Sequence, residues 1–116
     1  MDFACIDIDV KQVLKCTFGL TKAGCAVLAS FRGDEWLVSE EVASRCGYDL
    51  ATVQRSLKHL SERGVLIRRQ QNRPSGGYEF AYTLVSKKEF SSLVNKTLDS
   101  WLLEAKKEVS SWRSKQ

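Results

Sequence analysis

The sequence predicts a mainly α-helical fold with one small β-hairpin, and three observations lead to that prediction. Apolar residues recur every three or four positions in several segments, which is the spacing of amphipathic helices. Between residues 78 and 83 the spacing changes to strict alternation, which is typical of a strand. After Ser86 the helical spacing returns and continues almost to the end of the chain.

The composition is that of a folded protein with a core. The chain has 116 residues, of which 43% are hydrophobic and 28% charged, and this length suffices to bury a core without cross-links. No apolar run approaches the length of a membrane span. The N-terminus lacks the basic start and the long apolar segment of a secretory signal. We therefore expect a cytoplasmic protein.

The N-terminal third is predicted to hold two short helices and a short strand. For residues 1–8, strand and helix interpretations compete. Asp7 or Asp9 is expected to cap a first helix that stops near Gly19 and carries Val10, Val13 and Leu14 on one side. Thr21 is expected to cap a second helix that ends at Gly33 and carries Val27, Leu28 and Phe31. Residues 36–38 are expected to form a short strand.

Residues 39–64 are predicted to form a helix-turn-helix. Ser39 is expected to cap the first helix, which buries Val42, Ala43 and Cys46. Gly47 permits a sharp turn, and Asp49 is expected to cap the second helix. Gly64 ends that helix. Its inward face is indicated by apolar residues at spacings of three and four, namely Leu50, Val53, Leu57 and Leu60.

The outward face of this second helix carries the side chains that read nucleic acid. At about 100° per residue, Arg55 points almost directly away from the apolar face, and around it lie Ala51, Thr52, Gln54, Lys58 and His59. Such side chains contact base edges and phosphates. An ordinary exposed helix would carry more acidic residues and more alternation of sign. The pattern therefore predicts a recognition helix over residues 49–64 that enters the major groove of DNA.

A β-hairpin with a basic loop is predicted to follow. A strand begins at residues 65–67, and Tyr78, Phe80 and Tyr82 alternate along its partner. The loop between them is rich in residues that favour turns. Its Gly-Gly pair is not accompanied by either glycine-rich nucleotide motif, which argues against a nucleotide phosphate site. We expect this wing, residues 68–78, to contact the minor groove or flanking backbone through Arg68, Arg69, Arg73 and Ser75.

The positive charge of the chain coincides with this motif. From Arg45 to Arg73 there are seven arginines and lysines against two carboxylates, while the whole chain carries +4. A clustered basic face attracts a polyanion and favours phosphate contacts. The alternative is a solvated face on a mixed surface.

Cysteine and histidine usage argues against a metal site, and no cofactor is expected. The four cysteines contain no Cys-x-x-Cys spacing, and His59 is the only histidine, whereas structural zinc requires four ligands in paired spacing. The cysteines are expected to be reduced, apolar side chains. A redox switch is the alternative. No catalytic constellation is evident, so we do not expect an enzyme.

A long C-terminal helix is predicted from Lys87 to near Trp112, with Ser86 as its cap. Its apolar stripe is longer than one small domain can cover, which favours a homodimer; a helix folded back on its own core is the alternative. We therefore expect a DNA-binding domain over residues 1–85 and a dimerisation helix over residues 86–116. The expected interface residues are Phe90, Val94, Leu98, Trp101, Leu102, Ala105 and Trp112, with Val109 in the same stripe.

Three stretches resemble a known family. They are Thr-Val-Gln-Arg-Ser-Leu-Lys-His-Leu over residues 52–60, Gly-Val-Leu over 64–66, and Arg-Arg-x-x-x-Arg-x-x-Gly-Gly-Tyr-x-Phe-x-Tyr over 68–82. They resemble winged helix-turn-helix transcription regulators, and among these the small archaeal regulators grouped with the TrmB and MarR families.

The resemblance implies a dimer that inserts the second motif helix into the major groove. It also implies DNA contacts by Thr52, Gln54, Arg55 and Lys58 and by the wing around Arg73. The chain departs from the longer TrmB proteins because it lacks their C-terminal sugar-binding domain, so no sugar effector is implied.

These observations together predict a sequence-specific transcription regulator that binds double-stranded DNA as a homodimer. One alternative is a winged helix used for protein–protein assembly, which would favour an apolar or acidic second helix. The other is a thiol-based redox sensor that also binds DNA, whose DNA affinity would change on oxidation.

Overall fold

Five helices and three strands make up the part of the chain that the computed structural model describes, residues 9–116. Their order confirms the predicted sequence of elements, and the interpretations of residues 1–8 lie outside the described residues. The elements are α1 (Val10–Phe18), α2 (Lys22–Ala29), β1 (Leu37–Val38), α3 (Ser39–Cys46), α4 (Leu50–Glu62), β2 (Leu66–Asn72), β3 (Tyr78–Leu84) and α5 (Lys87–Ser114).

The caps of α1 and α2 follow the sequence, but the end of α2 does not. The Asp9 carboxylate accepts from the backbone N–H of Lys11 at 2.9 Å, and the Thr21 hydroxyl accepts from that of Gly24 at 3.0 Å. We expected α2 to end at Gly33; it ends at Ala29. The backbone N–H of Ser30 donates to the carbonyl three residues earlier, which tightens the last turn. Gly33 has φ 62° in the turn that follows.

The three strands form one antiparallel sheet in the order β1-β3-β2. Leu37 pairs with Tyr82 across β1 and β3, and Leu66 pairs with Leu84 across β2 and β3. The short strand expected around residues 36–38 is thus confirmed, and it is the third strand beside the hairpin.

The expected cap of α3 is wrong. Ser39 is the first helical residue, and Val38 occupies the capping position because β1 runs directly into the helix. The Glu41 carboxylate satisfies the free backbone N–H of Val38 at 3.1 Å. At the other end Gly47 adopts the left-handed conformation, φ 78°, that the turn to α4 requires.

The core lies between α4, the sheet and the N-terminal helices. Val53, Leu57 and Leu60 on α4 are completely buried, as predicted. Leu50 is 39% exposed, contrary to prediction, because it sits in the first turn of α4, and Ser56 is buried on the inward face instead. The remaining buried core residues are Phe18, Leu20, Val27, Phe31, Leu37, Val42, Val65, Leu66 and Tyr82.

Helix α5 packs on this core only near its beginning. The Ser86 hydroxyl accepts from the backbone N–H of Glu89 at 3.1 Å and caps the helix, as predicted. Phe90 lies 6.0 Å from Phe18 between ring centroids, and the methyl carbons of Leu93 lie 3.7 and 3.8 Å from where a Cβ would stand on Gly64. The rest of α5 extends away and makes the molecule 65 Å long. No helix in residues 9–116 has the length and apolarity to cross a membrane.

Candidate nucleic-acid interface

The outward face of α4 is polar, basic and accessible. Gln54, Arg55 and Lys58 are exposed, whereas Ser56 and Leu57, which lie between them in the sequence, are buried. Because Val53, Leu57 and Leu60 fix the inward face, these three side chains are directed away from the core. The face can therefore approach a ligand without any change in the packing of the helix.

The beginning of α4 is linked to this face by a chain of hydrogen bonds. The Asp49 carboxylate accepts from the backbone N–H of Thr52 at 3.1 Å and from its hydroxyl at 2.6 Å. Arg55 in turn donates from Nη2 to the Thr52 hydroxyl at 3.2 Å. These bonds, first that of the Thr52 hydroxyl, hold the pKa of Asp49 below its ordinary value. They also orient the Arg55 guanidinium.

The wing is held by aromatic contacts on one face of the hairpin. The guanidinium carbon of Arg68 lies 4.2 Å above the centroid of the Phe80 ring, and Tyr78 meets Phe80 edge-on at 5.8 Å. In the strand register Arg68 pairs with Tyr82 and Gln70 pairs with Phe80, which makes Arg68 and Phe80 diagonal neighbours. Stacking leaves the guanidinium edge free to donate hydrogen bonds.

A groove of about 480 Å³ separates α4 from the wing. Basic and amide side chains line it from both sides, and two carboxylates lie at its α3 and β3 edges. The side chains that give it its charge and polarity are Glu40, Gln54, Lys58, Arg68, Arg73 and Glu79. The predicted recognition helix and wing therefore border one continuous surface.

An ion pair connects the tip of the wing to α3. Nη2 of Arg73 lies 3.8 Å from a carboxylate oxygen of Glu40, and Nε lies 3.7 Å from one of Glu79. Gly76 and Gly77 adopt φ values of 99° and 73°, and the backbone N–H of Arg73 donates to the carbonyl of Gly77 at 3.0 Å. Ser75 is exposed at the turn. The ion pairs fix the position of the tip and partly neutralise its arginine.

Two basic residues of the predicted site, Arg69 and His59, make contacts away from this groove. Arg69 follows Arg68 on β2 and therefore points to the opposite face of the sheet, where it stacks on Trp36 at 4.1 Å. His59 is half-buried and donates from Nε2 to the carbonyl of Phe18 at 2.9 Å. It lines a separate cleft with Thr52 and Arg55, beside the first turn of α2.

Arg45 contributes to the basic segment of the sequence but not to the groove. It forms a bidentate ion pair with Glu35 and donates to the carbonyl of Ser30 at 3.0 Å. The hydrogen bond from Arg45 lowers the pKa of the Glu35 carboxyl. This arginine therefore joins α3 to the connection between α2 and β1.

The residues predicted to form a dimer interface divide into two groups. Phe90 and Val94 pack against the core of their own chain, unlike the rest of the set. Trp101 and Trp112 are 66% and 62% exposed. Leu98 and Leu102 are also exposed, and Ala105 is half-buried. The apolar stripe beyond Val94 therefore has little of its own chain to cover it.

The described cysteines, Cys16, Cys25 and Cys46, are free thiols. Cys46 packs against the core, which confirms the apolar role predicted for it. Cys16 is exposed on α1, a difference that the sequence did not predict.

Two contributors to the groove, Phe80 and Glu40, were not predicted from the sequence. Phe80 was assigned only to a strand, although it is the platform for Arg68. Glu40, near the start of α3, lines the groove and pairs with Arg73, and the sequence did not predict this contact. The alternation of aromatic residues on β3 signalled the first contact, because Tyr78, Phe80 and Tyr82 share a face. No local pattern signals the second, since thirty-three positions separate its partners.

Several solved structures share this fold. A possible transcriptional regulator from Methanosarcina mazei Go1 is 37% identical, with a TM-score of 0.83 over 97% of this chain and 95% of that one. MarR is 21% identical, with a TM-score of 0.52 over 90% of this chain and 81% of that one. TrmBL2, an archaeal chromatin protein, is 17% identical, with a TM-score of 0.59 over 90% of this chain and 36% of that one.

The likeness to MarR and TrmBL2 confirms the winged-helix resemblance seen in the sequence, at the level of the fold. A family model described as the DnaD N-terminal domain matches residues 10–109, from the start of α1 through most of α5. This range includes the helix-turn-helix, the wing and the exposed stripe as far as Val109. The chain therefore belongs to the DnaD N-terminal domain family.

Proposed function

We propose that the protein is a sequence-specific transcription regulator that binds double-stranded DNA as a homodimer. The observation that carries the proposal is the single groove between α4 and the wing, which both elements line with arginine, lysine and glutamine side chains. The Methanosarcina mazei relative, described as a possible transcriptional regulator, supports it.

Helix α4 has the dimensions and side chains of a recognition helix. The major groove of DNA is about 12 Å wide and admits an α-helix. Arginine forms bidentate hydrogen bonds to guanine and glutamine forms them to adenine, so Arg55 and Gln54 are proposed to read bases. The first turn of α4 brings Ala51 and Thr52 to the same face, beside them.

The wing and the rest of the groove supply backbone contacts in this proposal. Lys58 and Arg68 line the same groove and are proposed to contact phosphates beside the helix. Arg73 and Ser75, at the tip, reach the flanking backbone or the minor groove. Arg69 and His59 are left with smaller roles, because Arg69 is stacked on Trp36 and His59 is hydrogen-bonded to the carbonyl of Phe18.

The C-terminal helix supplies the dimer. Residues 1–85 are proposed as the DNA-binding domain and residues 86–116 as the dimerisation helix. A two-fold dimer presents two recognition helices to successive major grooves, about 34 Å apart or a multiple of it, on a near-palindromic site. The exposed residues proposed to form the interface are Leu98, Trp101, Leu102, Ala105 and Trp112.

Selection of bound sequences from a pool of random duplexes tests this function. We expect enrichment of a near-palindromic sequence, and titration of that duplex should show tighter binding than titration of a shuffled one. Affinity should fall steeply with salt, because phosphate contacts release counterions. Equal affinity for the enriched and the shuffled duplex would reduce the protein to a non-specific binder, and no binding at low salt would exclude the function.

A further inference from the structure

The exposed apolar stripe of α5 is symmetric about Ala105. Leu98 and Trp112 lie seven residues before and after it, and Trp101 and Val109 lie four before and after it. Offsets of four and seven return to the same side of a helix. The smallest residue of the stripe thus stands at its centre, where two helices can approach most closely.

We propose that α5 pairs with α5 of a second copy in antiparallel orientation, with the two-fold axis passing through Ala105. This inference rests on the proposed homodimer and specifies its interface. In such a pair each residue lies opposite the one equally far beyond Ala105 in the other chain. Leu98 then meets the partner's Trp112, and Trp101 meets the partner's Val109, so that each tryptophan packs against a smaller side chain.

A groove lies where the partner's tryptophan would arrive. Leu98 and Trp101 border an apolar depression of about 310 Å³ together with Val13, Cys16 and Thr17 of α1. Since Trp112 of the second copy lies opposite Leu98 in the antiparallel pair, its indole would fill this depression. The surface that α1 and α5 leave open thus fits a side chain that this chain itself supplies.

The antiparallel pair also leaves room for both DNA-binding domains. Phe90, through which α5 packs on the core, lies fifteen residues before Ala105. The Phe90 residues of the two chains lie on opposite sides of the two-fold axis, so at about 1.5 Å per residue they are about 45 Å apart along the helices. The molecule is 26 Å across in its shorter dimensions. The two domains therefore stand at opposite ends of the seam without collision.

Disulfide trapping tests the orientation. In a background with Cys5 and Cys16 changed to serine and Cys25 and Cys46 changed to alanine, single cysteines are introduced as Leu98→Cys, Ala105→Cys or Trp112→Cys. Lys107→Cys, on the other side of α5, is the control. Mild oxidation followed by non-reducing electrophoresis measures the cross-linked fraction.

We expect Ala105→Cys to cross-link with itself, and Leu98→Cys to cross-link with Trp112→Cys when the two are co-expressed. Neither of those two should cross-link alone, because like positions are about 21 Å apart and a disulfide requires Cα atoms within about 7 Å. The control should stay reduced. Efficient self-cross-linking of Leu98→Cys would show a parallel pair and overturn the inference.

Sedimentation and duplex titration of the unaltered protein separate this inference from the proposed function. If the protein is a dimer that selects a DNA sequence but its α5 helices cross-link in parallel, the proposed function holds and the antiparallel orientation is wrong. If the protein is a monomer at all concentrations, both the antiparallel pair and the proposed homodimer are wrong.

Discussion

The hydroxyl of Thr52 donates to the Asp49 carboxylate at 2.6 Å and accepts from Arg55 at 3.2 Å. One side chain thereby joins the residue that caps α4 to the residue at the centre of its exposed face. Capping residues stabilise the start of a helix by accepting its free backbone N–H groups. Here the cap also positions a guanidinium, so that the stability of α4 and the geometry of its proposed DNA contact depend on the same carboxylate.

We predict that this cap makes stability depend on pH in the acidic range. The pKa of Asp49 is lower in the folded than in the unfolded protein, so its contribution is present above the unfolded pKa and is lost as pH falls through the folded one. Asp49→Ala should lower the free energy of unfolding at pH 7, and its difference from wild type should shrink on acidification. Urea titrations from pH 7 to pH 3 measure this; Asp99→Asn, on exposed α5, is the control. A difference that is constant with pH would contradict the prediction.

Arg55→Ala should weaken binding to the selected duplex far more than binding to random DNA. A bidentate contact to guanine contributes about 1–3 kcal/mol of discrimination, which corresponds to roughly 5- to 150-fold in affinity. Fluorescence titration of both duplexes measures the ratio. Lys115→Ala removes the same charge near the end of α5 and should change neither affinity much. Equal losses on the two duplexes after Arg55→Ala would make this residue a phosphate contact.

Leu98→Asp combined with Trp101→Asp should yield folded monomers. Both side chains are exposed in the single chain, so their replacement leaves the core unchanged. A dimer interface formed by this face would have to bury two charges per subunit. Sedimentation reports the mass, circular dichroism the fold, and duplex titration the expected loss of tight binding. The matched control is Ser100→Asp with Leu103→Asp, on the opposite face of α5, which should remain dimeric. If the variant with Leu98→Asp and Trp101→Asp stays dimeric, this face of α5 is not the dimer interface.

Cys16 should react with a thiol reagent much faster than Cys46 in the native protein. Cys16 is exposed, whereas Cys46 packs against the core. Cys46→Ser should lower the free energy of unfolding by about 1 kcal/mol, since it places a hydroxyl among apolar atoms, and Cys46→Ala should cost less. Mass spectrometry of partially labelled protein ranks the sites. Rapid labelling of Cys46 accompanied by loss of DNA binding would favour the redox-sensor alternative instead.

Regular elements could be predicted from the sequence wherever the pattern is long and local. The thirteen residues of α4 and the twenty-eight of α5 carry their periodicity and caps within themselves. The end of α2, the cap of α3 and the exposure of Leu50 could not be predicted, because each depends on a neighbouring element. Val38, for example, precedes α3 directly because it is still paired in β1.

The candidate site was predictable to a similar extent. The angle of each residue around α4 identified Gln54, Arg55 and Lys58 as exposed. The separation of Arg68 from Arg69 follows from strand alternation, which the sequence interpretation did not apply to the wing arginines. The contact of His59 with Phe18 and the ion pair of Arg73 with Glu40 join distant segments, and only the packed chain shows them.

The seating of α5 limits the DNA sites that a dimer joined through this helix could accept. Two residues separate β3 from α5, the backbone N–H of Val85 donates to the carbonyl of Val65, and Leu93 packs against Gly64 at the end of α4. The described chain thus has no flexible linker between the β2–β3 hairpin that follows α4 and the start of α5. One base pair inserted between half-sites moves one of them by about 3.4 Å and rotates it by about 35°. A dimer of this construction would tolerate one spacing and lose affinity at its neighbours.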